Sequence, residues 1–122
     1  MALLYEELTG KILEACFEVM NELGSGFLES VYQKALALAL EEKRLAVKAQ
    51  FPVSVSFRGR LVGQFYADLL VDEKVIVELK AVTALAGEHH AQVINYLKAS
   101  GIEVGLLVNF GKPKLEYRRF HK

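Results

Sequence analysis

The apolar positions of this chain change their period along its length. From about Leu4 to Leu23 they recur near every 3.6 residues, at Leu8, Ile12, Cys16, Val19 and Leu23, with Glu6, Lys11, Glu14 and Glu18 between them. That spacing predicts an amphipathic helix, broken by Gly24-Ser25-Gly26. A second helix is expected from about Leu28 to Leu45, rich in Ala and Leu, with Glu41-Glu42-Lys43-Arg44 near its end. From Gln50 the period becomes two. Phe51, Val53, Val55 and Phe57 alternate with small or polar residues, as in a strand with one wet face. Arg58-Gly59-Arg60 reads as a hairpin turn into a strand from Leu61 to Val71. Asp72-Glu73-Lys74 reads as a second turn, into Val75 to Val82. A third helix, about Gly87 to Ser100, ends at Gly101. Val104 to Phe110 then reads as a short, fully apolar strand, and Leu115 to Phe120 as a last one. The predicted order is α-α-β-β-β-α-β-β. A three-strand meander, a crossover helix and another strand indicate an α/β chain with a mixed sheet and helices packed on it.

At 122 residues the chain is expected to form one domain with a real core. Its formal net charge is zero, so no global basic field advertises nucleic acid; an acidic site could offset a local basic patch. Cys16 is the one cysteine, which excludes an intrachain disulfide and suggests a reducing compartment. Within ILEACFEVM it reads as a small buried hydrophobe. The start, MALLYEELTGK, lacks the basic and apolar regions of a signal peptide, and no apolar run is long enough to span a bilayer. A cytoplasmic location with no membrane contact is the expectation.

The run KVIVELKAV, Lys74 to Val82, carries most of the chemistry. Its apolar residues occur at both parities, as in a strand covered on both faces, yet it holds Glu78 and Lys80. Side-chain direction repeats every two residues, so Ile76, Glu78 and Lys80 point to one side. The preceding strand contributes one acid from an apolar setting, Asp68, between Ala67 and Leu69. Carboxylates on adjacent strands can converge on a hard cation such as Mg²⁺, which prefers oxygen ligands and polarises a phosphoryl group. A lysine one pleat away, roughly 6.5 to 7 Å along the strand, can hold the attacking water and offset developing charge. The plain alternative is a solvated face on which Glu78 and Lys80 pair with each other.

Three further positions are candidates. Glu29, in GFLESVY, opens the second helix, and Tyr32 lies three residues on, on a shared face. The alternative is an acid favoured by the helix N-terminus and an amphipathic core tyrosine. Gln92 and Tyr96 stand one turn apart on the third helix, where an amide and a hydroxyl can orient water or phosphate; the alternative is an ordinary half-buried face. His89 and His90 are adjacent, about 100° apart on the helix, and read as surface residues rather than a ligand pair.

These segments together resemble the GxxExxY proteins, small prokaryotic members of the PD-(D/E)XK nuclease superfamily. The resemblance spans NELGSGFLESVY (Asn21 to Tyr32), Ala67-Asp68, VELKAV (Val77 to Val82), AQVINYLKASG (Ala91 to Gly101) and VGLLVNFGKPKL (Val104 to Leu115). It implies a restriction-endonuclease-like core, with two N-terminal helices on one side of the sheet and the crossover helix packed against it. It also implies a Mg²⁺- or Mn²⁺-dependent nuclease, with DNA as the expected substrate. Asp68 and Glu78 would be metal ligands, Lys80 the residue that positions water, and the Leu79 carbonyl and Glu29 further ligands. Gln92 and Tyr96 match the Gln-x-x-x-Tyr helix of recombination-type exonucleases, where it supports the site and the DNA. The chain departs from the pattern at Ala67, in place of the motif proline. Relatives often carry His where it has Met20 and Pro where it has Ser25. Arg58, Arg60, Lys112, Lys114, Arg118 and Arg119 are candidate backbone contacts, with solubilising charge as the alternative. A homodimer would suit a nuclease cutting both strands. The rival function is a non-catalytic nucleic-acid-binding or scaffold protein that keeps the fold, against which the intact Asp68, Glu78 and Lys80 count.

Overall fold

The computed structural model describes residues 3–122. Helices α1 (Glu6–Leu23) and α2 (Glu29–Glu42) precede strands β1 (Val47–Phe57), β2 (Arg60–Val71) and β3 (Val75–Lys80). Helix α3 (Gly87–Ser100), β4 (Val104–Asn109) and β5 (Glu116–His121) follow. The element order is the one that the hydrophobic pattern predicts. The strands form one mixed sheet in the order β1-β2-β3-β4-β5. Neighbours are antiparallel except for β3 and β4, the parallel pair that α3 connects.

The sheet divides two cores. On one side Val75, Val77 and Leu79 of β3 and Val104, Leu106 and Val108 of β4 pack with Ile12, Cys16 and Val19 of α1 and Leu36 and Leu40 of α2. On the other, Leu70, Ile76 and Leu107 pack with Val93, Tyr96 and Leu97 of α3. Burying such a Leu or Ile fully is worth about 1.5–3 kcal/mol, so the two faces together hold β3 and β4 rigidly in the middle. Gly105 lets α3 approach β4 closely, since a Cβ there would stand 2.7 Å from Val93 Cγ1. Cys16 is buried among the first set, and burial pushes its thiol up to about 12, as befits a packing residue.

Element ends depart from expectation where tertiary contacts outweigh pattern. Strand β1 begins at Val47 rather than Gln50, because Val47, Lys48 and Ala49 pair with Val71, Leu70 and Leu69. Helix α2 stops at Glu42, short of Leu45, which is buried against the core beyond it. Two-residue turn geometry closes the first hairpin, with Arg58 and Gly59 at φ 51° and 77°. Among the described residues no helix is long and apolar enough to cross a membrane.

Candidate functional site

The ladder between β2 and β3 runs Val71↔Val75, Leu70↔Ile76 and Leu69↔Val77 and stops there. Asp68 and Glu78 are the next residues along, and their side chains take over the bonding. The Asp68 N–H donates to Glu78 Oε1 at 2.7 Å, and the Leu79 N–H donates to Asp68 Oδ2 at 2.8 Å. Each carboxyl group therefore satisfies a peptide donor on the opposite strand, and the bond fixes its orientation. Beyond this point β2 is paired with β1 alone, while β3 continues beside β4 as far as Lys80↔Asn109.

Strand β2 also changes its facing here. Leu69 and Val71 pack with α1 and α2, but Ala67 packs with the α3 cluster, as Leu70 does. Across the ladder Gln50 carries a φ of 55° inside β1, a left-handed value that a non-glycine residue rarely adopts in a strand. Its amide Nε2 donates to Gln33 Oε1 on α2 at 3.0 Å. Local irregularities of this kind re-aim side chains and gather near functional sites.

Glu78 is only 3% exposed. Burial pushes its carboxyl up to about 8, and the neighbouring Asp68 adds to the rise. The Asp68 N–H and the Lys80 charge pull the other way, and Glu29 raises it slightly. Asp68 is also raised, first by burial and then by the Glu29 charge, against the Leu79 N–H and Lys80. Glu78 is thus not on a solvated face, and the plain alternative for the Glu-x-Lys pair is excluded. Two desolvated carboxylates that repel each other beside one half-buried lysine form an oxygen-rich donor set suited to a hard divalent cation. Among the described residues no three Asp, Glu, His or Cys side chains gather closely enough to hold an ion on their own. Glu29, exposed in the first turn of α2, acts on both carboxylates through its charge.

Gln92 and Tyr96 come together as the spacing requires: Gln92 Nε2 donates to the Tyr96 hydroxyl at 3.2 Å. Burial raises the Tyr96 phenol, and the Glu78 charge adds to it, so this pair borders the acidic site. Gln92 Oε1 is buried without a partner. Glu29 and Tyr32, by contrast, do not project together. Tyr32 is fully buried, stacked on Phe110 at 4.6 Å. Its hydroxyl donates to the Gly24 carbonyl at 2.5 Å and accepts from the Phe27 N–H at 3.2 Å. With Gly26 at φ 113°, Tyr32 ties down the loop from which Glu29 emerges. The Gly-x-x-Glu-x-x-Tyr spacing is thereby a loop anchor as well as an acid.

Asn109 is masked in the sequence by its place inside Val104 to Phe110, a run that reads as fully apolar. It is completely buried. Its Oδ1 accepts from Val82 N–H at 3.0 Å and Gly111 N–H at 2.9 Å, and its Nδ2 donates to Val82 O at 3.0 Å and Glu116 Oε1 at 3.1 Å. This ends β3 at Lys80 rather than Val82 and fastens the segment just after Lys80. A Cβ on Gly111 would lie 2.3 Å from Val82 backbone, so a glycine is needed. A lone amide in the otherwise nonpolar run Val104 to Phe110 is the available signal. Arg119 is withdrawn from the candidate DNA contacts: its Nη1 donates to Thr9 Oγ1 at 3.0 Å and its Nη2 to the Leu4 carbonyl. Both histidines are half-buried rather than on the surface. His89 Nδ1 accepts the Ala86 N–H at 2.9 Å, and His90 packs on Phe120.

Among curated proteins nothing matches the chain. Among solved structures, the crystal structure of SSO0001 superposes with a TM-score of 0.59 at 16% identity, a likeness of fold. It covers 97% of this chain, which spans only 60% of that protein's length. The sequence model of the PD-(D/E)XK nuclease superfamily matches residues 6–120, which take in all three helices, β1 to β4 and β5 up to Phe120. With that match added to the paired acids and lysine at the broken ladder, the chain belongs to the PD-(D/E)XK nuclease superfamily.

Proposed function

We propose that this protein is a Mg²⁺- or Mn²⁺-dependent nuclease of the GxxExxY type, hydrolysing phosphodiester bonds in DNA. The observation that carries the reading is the reciprocal Asp68–Glu78 arrangement at the end of the β2–β3 ladder, with Lys80 one pleat further on. Asp68 and Glu78 would hold the cation, with the Leu79 carbonyl and Glu29 on its periphery. When bound, the ion would polarise the phosphoryl group and lower the pKa of water.

The chain's own residues do the rest. The Lys80 ammonium donates hydrogen bonds to the attacking water and to a phosphoryl oxygen, aligning one with the other and offsetting the charge that grows on the phosphate. The two peptide N–H donors keep both carboxylates from swinging out to solvent, so the geometry is present before substrate arrives. The Tyr96 hydroxyl and Gln92 amide orient the phosphate on the α3 side. Asn109, through Val82, keeps the strand end that bears Lys80 from fraying.

The test is cleavage of single- and double-stranded DNA and RNA with Mg²⁺ or Mn²⁺ by wild type, Asp68→Asn and Lys80→Ala. Metal-dependent cutting of DNA by wild type and loss in both variants is expected. Equal cutting by all three would identify a contaminant. No cutting, together with no Mn²⁺ binding by calorimetry, would move the reading to a non-catalytic binding protein.

A further inference from the structure

A cleft of about 690 Å³ opens between the outer part of the β1–β2 hairpin and α3. Its walls include Ser54 and Phe65 from the hairpin and Gln92, Asn95, Tyr96 and Lys98 from α3. The size falls inside the range of about 300–1,000 Å³ typical of small-ligand sites. No acid lines it, although the chain has 15 Asp and Glu, and the one charged residue on its wall is a lysine. Phe65 is 48% exposed, its ring tilted 38° to Tyr96 at 6.1 Å, so it offers an open aromatic face. Gln92 and Asn95 carry amides, each able to donate and accept along a hydrogen-bonding edge. Tyr96 and Gln92 belong both to this cleft and to the border of the acidic site.

Aromatic face, amide edges, hydroxyl and a single cation are the complement of a nucleotide: a flat base, its polar edge, and a phosphate. We propose that this cleft seats one unpaired nucleobase next to the phosphodiester held at Asp68 and Glu78, stacked on Phe65. The inference rests on the nuclease reading for the second half of that sentence only. A base within a duplex has both faces stacked and its edge paired, and so cannot enter a cleft lined this way. It must come from a single strand or be turned out of the helix. The substrate class is therefore a strand with single-stranded character at the point of attack. The cationic groups at the hairpin turn, Arg58 and Arg60, suit the phosphates leading into the cleft.

The experiment titrates cleavage-silent Asp68→Asn protein, with Mg²⁺ present, against a single-stranded oligonucleotide carrying 2-aminopurine and against the same sequence as a duplex. Quenching of 2-aminopurine reports stacking. Quenching by the single strand is expected, with affinity at least about tenfold above the duplex, and a further Phe65→Ala change should weaken it about tenfold. Ala99→Trp, which fills the cleft from an exposed position of α3, should do the same, with circular dichroism verifying that both variants fold. Equal affinity for the two oligonucleotides would overturn the proposal, as would unchanged quenching in both folded variants. Wild-type cleavage is assayed in parallel. Metal-dependent cutting with unchanged Phe65→Ala binding would remove the cleft and leave the nuclease. Stacking lost in Phe65→Ala without any cutting by wild type would remove the nuclease and keep the cleft as a single-strand binding site.

Discussion

From Ala67 to Val71, β2 is flanked on both edges over most of its length and buried apart from Asp68; from Arg60 to Tyr66 it has only β1 beside it, and Leu61, Val62 and Tyr66 are each more than half exposed. The inner half is held by packing on two faces, the outer half by one ladder and one turn. Asp68 stands near the boundary, at a point where a neighbouring strand departs and leaves peptide donors without partners. A carboxylate is stable there for the same reason that makes it useful: the donors that a third strand would have consumed now fix an anion. The difference teaches that the paired acids of this fold occupy the end of order, close to rigid structure yet open on one side.

Substitutions on either side of that boundary should separate cleanly. Lys80→Ala or Asp68→Asn is expected to slow DNA cleavage by at least ~100-fold while the protein stays folded, with rates in Mg²⁺ as the measurement. If both cut at the wild-type rate, the junction has no part in chemistry. Asn109→Ala strips partners from the Val82 N–H and C=O, the Gly111 N–H and Glu116, and should cost about 3 kcal/mol in urea unfolding. A loss as small as that of an exposed arm residue would mean the segment after Lys80 is held by other contacts.

The pH dependence sharpens the contrast further. Because Glu78 titrates near 8 in the fold against an ordinary 4.5, the folded protein retains a proton that the unfolded chain releases. Its contribution to stability is full below pH 4.5 and is lost as pH rises through 8. In metal-free protein this should amount to at most about 5 kcal/mol, flattened in Glu78→Gln, as followed by chemical unfolding across that window. Mn²⁺ should raise the melting temperature more at the alkaline end, where it no longer competes with the proton. Tyr32→Phe should lose about 1 kcal/mol, since Gly24 and Phe27 lose one partner in a tied loop, and the shift in thermal unfolding measures it. Leu61→Ser, on the open arm, should change stability by no more than about 0.5 kcal/mol and leave cleavage intact.

The element order was legible because the period of apolar residues switches between 3.6 and two, and because Gly24, Arg58-Gly59 and Gly101 punctuate it. So was the acidic pair, because β3 is apolar at both parities and cannot hold Glu78 idly. What stayed hidden depends on contacts across the sheet. The i and i+3 rule placed Tyr32 beside Glu29, yet helix α2 turns that tyrosine into the core, where its hydroxyl is satisfied by a loop. Arg119 looked like a free cation until Thr9 and Leu4 of the N-terminal segment closed on it. Gln50 and Phe65 are unremarkable letters. Only the left-handed backbone at Gln50 and the cleft between the arm and α3 give them a setting.

The two peptide N–H groups at the broken ladder have a use of their own. The amide protons of Asp68 and Leu79 each point at a carboxylate oxygen rather than at a carbonyl, so their magnetic environment follows the state of those acids. In a nitrogen-edited spectrum these two resonances should move with protonation of Glu78 and again when an ion or a phosphate arrives. The polypeptide thus carries its own pair of indicators, readable before any substrate is known.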